Sequence, residues 1–292
     1  MQGVQSQLAL AGRMFKHMHP RRRRLPNTLA PQFPNHIVRS YQRDLVRLIS
    51  DLYYRFHTRV WPTIMLAIND QEQKQKFDDV YDDVRRAFEN LRFEVEEEIG
   101  EEMARSLAGT NLNDLSRWNR RRVEANAKRV LEIVPYVPDT RLGDIASQFL
   151  NQNANLITSM VQEGINKTET LVNVAFQQGK RAEVLSNEVF NLISPHKTSN
   201  IRARANLIAR DQIAKLNGQL TRTRQTDLGV SRYIWRTMGD ARVRDEHQDL
   251  NGKIFSWDSP PDVGHPGDDY QCRCYADPVL SDLVPGMEES SF

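Results

Sequence analysis

Cysteine is nearly absent from this chain: two in 292 residues, at positions 272 and 274. A bridge between residues so close closes a very small, strained ring, so disulfides cannot staple distant segments here, and a reducing compartment is the expectation. Long apolar runs are missing as well. Nothing approaches the roughly 20 consecutive apolar residues of a transmembrane helix, which argues against a membrane span and against a membrane as partner. The opening "MQGVQSQLALAGRMFKHMHPRRRR" places its positive charge after its short apolar patch, the reverse of a secretory signal. Proline is scarce in the middle of the chain. Four of thirteen lie from Pro20 to Pro34 and five from Pro260 onward, whereas only Pro135, Pro138 and Pro195 fall between Thr63 and Ser259. Proline interrupts helices, so this distribution predicts a long helical body between two irregular ends. No repeat of fixed period, Gly-x-Ser-x-Gly elbow, phosphate loop or dinucleotide fingerprint is found, which removes the enzyme classes those motifs serve.

What is present is ordinary for a soluble protein: 39% apolar and 27% charged residues, in a length that allows one sizeable core or about two domains. The net charge of +2 conceals a segregation. Residues 1–60 carry 11 Lys and Arg against 2 Asp and Glu, residues 61–110 carry 6 against 13, residues 111–230 carry 17 against 11, and residues 231–292 carry 6 against 12. Most of these charges read as solvated faces and internal pairs. Arg21, Arg22, Arg23 and Arg24 differ, because four adjacent arginines repel one another and favour phosphates or an acidic partner.

Helical spacing fills the body. Tyr41, Leu45, Leu48, Leu52 and Phe56 form one stripe over about 36–59. Phe77, Val80, Val84, Phe88, Leu91, Val95 and Ile99 form another, with Gly109 as its predicted stop. Leu115, Trp118, Val123, Val130, Leu131 and Val134 predict a third helix ending at "VPYVPD". Helices follow over about 140–153, 155–179, 180–193 and 198–228, the last capped by Ser199 or Asn200 and left through Gly229. Then "SRYIWRTM" and "GKIFSW" read as strands. The fold class is mainly α, with long helices in the N-terminal and central body and a small C-terminal α+β module. The predicted divisions are an extended, basic, proline-containing arm at 1–35, a helical body at 36–197, a terminal domain at 198–282 and a flexible tail at 283–292.

In that terminal domain stand Ile208, Ala209, Arg210; Gly229, Val230; Trp235, Thr237; Asp240, Arg242, Arg244, His247, Leu250, Gly252; His265, Pro266; and Cys272, Arg273, Cys274. In this order they resemble the Mu F-like family of minor head proteins of tailed bacteriophages, over roughly residues 200–280. One departure is Asp211-Gln212, where many relatives have Thr-Glu. The segment "RRRRLPNTLAPQFPNHIVRSYQRDLVRLI" also resembles the opening of such proteins, less specifically. The resemblance implies a structural role in head assembly without established catalysis. It also implies a place in the virion, inside the capsid near the portal vertex, after assembly in the host cytoplasm. The implied partners are portal protein, with major capsid protein or scaffold as others, and an influence on DNA packaging or ejection. Arg21 to Arg24 and Tyr41 are the candidate partner or DNA contacts, and Trp235, Asp240, Arg242, Arg244, Gly252 and Arg273 the structural motif.

The chemistry of the module leaves two readings open. His247, His265, Cys272 and Cys274 can complete a tetrahedral zinc site, and a module with so little core would gain stability from a metal. Alternatively, arginine–aspartate forks join Arg242, Arg244 and Arg273 to Asp240, Asp268 and Asp269 around buried cysteines, with Gly252, Gly264 and Gly267 at the turns. Competing functions are a metal-dependent nuclease using His247, Asn251 and His265, whose spacing is compressed for that purpose, and non-specific DNA binding by the arm. A zinc deaminase needs His-x-Glu and Cys-x-x-Cys, which are not here. A thiol nucleophile at Cys272 or Cys274 beside His265 stays open.

Overall fold

The computed structural model describes residues 2–30, 32–72, 77–137, 141–284 and 286–289, the side chains of residues 2–8 and 69–80 excepted. The expected contacts of Phe77 and Val80 and the expected turn at Pro138 lie outside that description. Among the described residues the fold is mainly α with a small C-terminal sheet, as the proline distribution predicts. In chain order the elements are α1 (Gln2–Met18), α2 (Asn35–Arg55), α3 (Trp61–Glu72), α4 (Phe77–Glu98), α5 (Glu101–Leu131), α6 (Leu142–Gln177), α7 (Ala182–Ile193), α8 (Asn200–Asp227), β1 (Arg232–Arg236), α9 (Asp245–Leu250), β2 (Ile254–Ser256) and β3 (Tyr275–Pro278). No helix is long and apolar enough to cross a membrane among the residues described.

The chain folds as two compact units, and their division corrects the contiguous body expected at 36–197. One unit comprises Val38–Thr110 and Leu150–Ala209; the other comprises Met1–Ile37, Asn111–Phe149 and Arg210–Phe292.

In the unit of Val38–Thr110 and Leu150–Ala209, the α2 stripe is buried through Tyr41, Leu45, Leu48, Leu52 and Phe56 and packs with the α4 stripe, the Phe56 and Phe88 rings lying 6.0 Å apart. The helical path does not end near 59. Pro62 has no N–H and its ring crowds the carbonyl one turn back, and a single π turn at Phe56–Val60, with Trp61 N–H donating to the Phe56 carbonyl, carries the chain past it into α3. The expected stop at Gly109 is also corrected. The break comes at Ile99–Gly100, where acidic residues crowd the C-terminal end of α4 while Glu101 and Glu102 suit the N-terminal end of α5. Gly109 sits inside α5, where a glycine costs only about 1 kcal/mol. Two expected helices at 140–153 and 155–179 are one, α6, because the polar residue at their junction, Asn153, is buried as the acceptor of the Tyr41 hydroxyl at 2.7 Å. Ser199 Oγ accepts from the Arg202 N–H at 3.3 Å and so caps α8.

The other unit corrects both chain ends. Residues 2–18 are helix instead of extended arm, and Phe15 of α1 is fully buried with Leu25, Val130, Leu131, Val137, Leu228, Val230, Leu280, Val284 and Met287. After a turn at Pro20–Arg21, residues 22–30 form neither helix nor named strand, and α5 side chains take up part of their backbone hydrogen bonding. Asn126 accepts from Leu29 N–H at 2.9 Å, and Arg129 and Arg122 donate to the carbonyls of Asn27 and Leu29 at 2.8 and 3.1 Å. The expected flexible tail is tied down where it is described: Leu25 N–H donates to the Glu288 carbonyl at 3.0 Å and Glu288 N–H to the Arg23 carbonyl at 2.9 Å.

The same unit holds the sheet, in the order β2-β1-β3 and antiparallel throughout, with Ile234 opposite Ile254 on one side and Asp277 on the other. The two predicted strands are β1 and β2; β3 and α9 have no period in so few residues. Tyr233, Ile234 and Trp235 are all buried, so both faces of the central strand are covered. Gly229, at φ 84°, ends α8 as expected, with Val230 N–H returning to the Gln225 carbonyl at 2.9 Å.

Candidate functional site

β1 is the platform of the site. It buries Tyr233 and Trp235 in an apolar cluster with Trp257, Cys272, Cys274 and Ala276. After β1 the chain turns through Asp240 into α9, which carries His247, and Gly252, at φ 84°, returns it to β2 with its N–H on the Trp235 carbonyl at 2.8 Å. The loop from Trp257 to Cys274 then comes back over α8. Its approach depends on two glycines: a Cβ on Gly218 would lie 2.6 Å from the Pro266 carbonyl oxygen, and Gly267, at φ 98°, lies against the same helical turn. Asp211 of α8 accepts from Gln271 N–H at 2.9 Å, so the Asp-Gln departure positions the residue before the first cysteine.

Here His247, Cys272 and Cys274 converge, all buried, their ligand atoms within 4.8 Å of one another. His247 Nδ1 lies 3.6 Å from each sulfur. Its Nε2 faces the Asp269 carboxylate at 3.2 Å, and that carboxylate also takes the Arg244 guanidinium. The Trp235 ring meets the imidazole edge-on, with centroids 5.4 Å apart. The hydrogen bond from the Cys274 thiol, joined by backbone hydrogen bonds and by His247, holds Cys272 down to about 6 against the opposing effect of burial. That shared hydrogen bond and burial push Cys274 up.

His265, expected as the fourth ligand, stands apart from this group. Its Nδ1 lies 2.9 Å from the Tyr233 hydroxyl, its other side meets the Trp257 backbone, and burial pushes its basicity below the ordinary imidazole value. Packed against Tyr233 and Trp257, it closes the loop; the N–H of His265 is itself held by Asp268 at 2.9 Å. Asn251 is likewise occupied, accepting from Thr237 N–H at 3.0 Å, so the His-Asn-His set expected of a nuclease is dispersed among structural contacts.

The arginine–aspartate forks form around this centre. Arg273 clamps Asp240 at 2.8 and 2.5 Å, Arg242 shares one of the same oxygens at 3.0 Å, and Arg244 takes Asp269. Asp268 serves the His265 backbone instead of an arginine. A cavity of about 250 Å³ opens beside the cysteines, lined by Arg210, Arg242, Arg244 and Arg273 together with His247 and Tyr270.

The other predicted contacts lie elsewhere. Tyr41 is fully buried and bonded to Asn153, so it belongs to the core and offers no partner surface. Arg21 to Arg24 are exposed, with Arg22 over the Phe15 ring at 5.9 Å and Arg24 beside Glu288 at 3.6 Å. Sequence reasoning missed Asp269 as the carboxylate behind His247 and Tyr233 as the partner of His265. Gly218, a glycine within a helical pattern, was a signal of the close loop approach.

Residues 155–277 match the family described as phage Mu protein F like protein. The Mu F-like region begins in α6, earlier than the resemblance over 200–280 implies, and it contains β1, α9, β2 and every residue of the His/Cys centre. An uncharacterized protein of Haemophilus influenzae is 38% identical over 129 residues, which is 44% of this chain and 28% of that protein. The chain thus matches little more than a quarter of that relative's length. No solved structure matches.

Proposed function

We propose that this chain is a structural protein of a tailed-phage head, working in head assembly at the portal vertex, with the portal protein as its main partner. The observation that carries this reading is the Mu F-like match over residues 155–277. The site supports it in a second way, since the residues that define the resemblance are spent on holding the module together. Trp235 is core, Asp240, Arg242 and Arg273 form one cluster, Arg244 pins Asp269, and Gly252 makes a turn. On this reading the protein resides in the virion interior after assembly in the host cytoplasm, and it is not an enzyme. A nuclease assay with added divalent metal checks the last point: cleavage that His247→Ala abolishes would contradict it.

The exposed Arg21, Arg22 and Arg23 favour an acidic face, on portal, major capsid protein or scaffold, over a fixed DNA site, because stacking aromatics are not interleaved with them. Binding to duplex DNA that collapses with rising salt and is lost when these arginines become glutamine would instead assign them to packaged DNA.

A further inference from the structure

We propose that His247 Nδ1, Cys272 Sγ and Cys274 Sγ hold a zinc ion, with Asp269 orienting the imidazole and the fourth position opening into the arginine-lined cavity. Zinc–sulfur bonds of about 2.3 Å and a zinc–nitrogen bond of about 2.0–2.1 Å, set at a tetrahedral angle, place nitrogen and sulfur about 3.6 Å apart. Both nitrogen–sulfur separations here are 3.6 Å. Metal-free hydrogen bonding accounts less well for that symmetry, because Nδ1, whether donor or acceptor, directs one hydrogen bond at one sulfur and both lie at the same distance. One cation between the three atoms satisfies all of them.

The far side of the imidazole points the same way. Nε2 lies 3.2 Å from Asp269, a carboxylate placed behind the ring on the side away from the sulfurs, which leaves Nδ1 as the nitrogen that faces them. Asp269 is at the opposite ring nitrogen from the sulfurs, so it serves as the carboxylate behind the ligand and not as the fourth ligand. His265 is excluded by its contact with Tyr233. The remaining position faces the cavity of about 250 Å³ and takes water. Two thiolates balance the two charges of zinc, and binding releases the thiol protons to solvent. Two sulfurs and one imidazole are a donor set of the kind zinc accepts, and burial of all three shields them from exchange. The ion would join α9 to the segment before β3.

The test is elemental analysis of the full chain, produced with zinc in the medium and dialysed, followed by cobalt substitution. The expected result is about one zinc per chain, and in the cobalt form a thiolate-to-metal charge-transfer band with tetrahedral visible absorption. Cys272→Ser and Cys274→Ser each weaken that band, His265→Gln retains the metal, and Asp269→Asn lowers zinc affinity about 10- to 100-fold. Should the cysteine variants fail to fold, the wild-type metal content and the Asp269→Asn affinity still decide. Zinc below a tenth of stoichiometry, stoichiometric iron or copper in its place, or loss of metal in His265→Gln with retention in His247→Gln would overturn the assignment.

Discussion

Asp240 receives two arginines, and Arg273 above all, then Arg242, holds its carboxyl well below the usual carboxylate range. A carboxylate whose folded value is depressed adds stability that is fully present above its unfolded value, about 3.9, and is lost as pH falls through the folded value. Asp240→Asn should therefore melt below wild type at neutral pH, and the two melting curves should converge as pH falls below about 4. A constant difference across that range would contradict the assignment. Tyr41→Phe offers a second check at this scale. It leaves Asn153 without its hydroxyl donor and should cost about 1–2 kcal/mol in denaturant unfolding while leaving partner binding intact. Loss of binding at unchanged stability would restore Tyr41 as a surface contact. These residues also show what was legible. Charge chemistry in a short loop announced the forks to Asp240 and Asp269, because few alternative partners lie near in sequence. The burial of Tyr41 and the diversion of His265 to Tyr233 depended on which element lies opposite, which no local pattern encodes.

At the scale of elements, periodicity marked the helices well and their interruptions poorly. Apolar stripes on α2 and α4 follow from packing alone, but the π turn before Pro62 and the break at Gly100 come from backbone hydrogen bonding and from helix-end charge. The short β3 and α9 carry too few residues for a period and are held by loop contacts. Gly218 makes the clearest element-level prediction. A methyl there would lie 2.6 Å from the Pro266 carbonyl, so Gly218→Ala should destabilise by about 1–3 kcal/mol despite alanine's better helix propensity. If the proposed zinc is bound, the same push on the loop that carries Cys272 should also reduce its retention. The control is Gly143→Ala on α6, which meets nothing within 4 Å. Equal melting temperatures for the two variants would mean that the loop does not need the close approach.

For the whole molecule, the largest revision concerns the chain ends. Composition marked residues 1–35 as a basic, proline-containing arm, yet Phe15 and Leu25 are buried with Val284 and Met287. Charge and proline content describe what a segment cannot do alone; they do not reveal that another part of the chain supplies its core. Phe15→Ala should accordingly cost about 3–5 kcal/mol, where a free arm would give no change in the melting curve. Recognition of the Mu F-like region depended instead on rare residues in fixed order and survived every local error in boundaries. The central claim is that this protein works in the phage head against the portal. Crosslinking with mass spectrometry on intact particles tests it most directly: crosslinks concentrated on portal protein are the predicted result, and their absence from every head component would contradict the account.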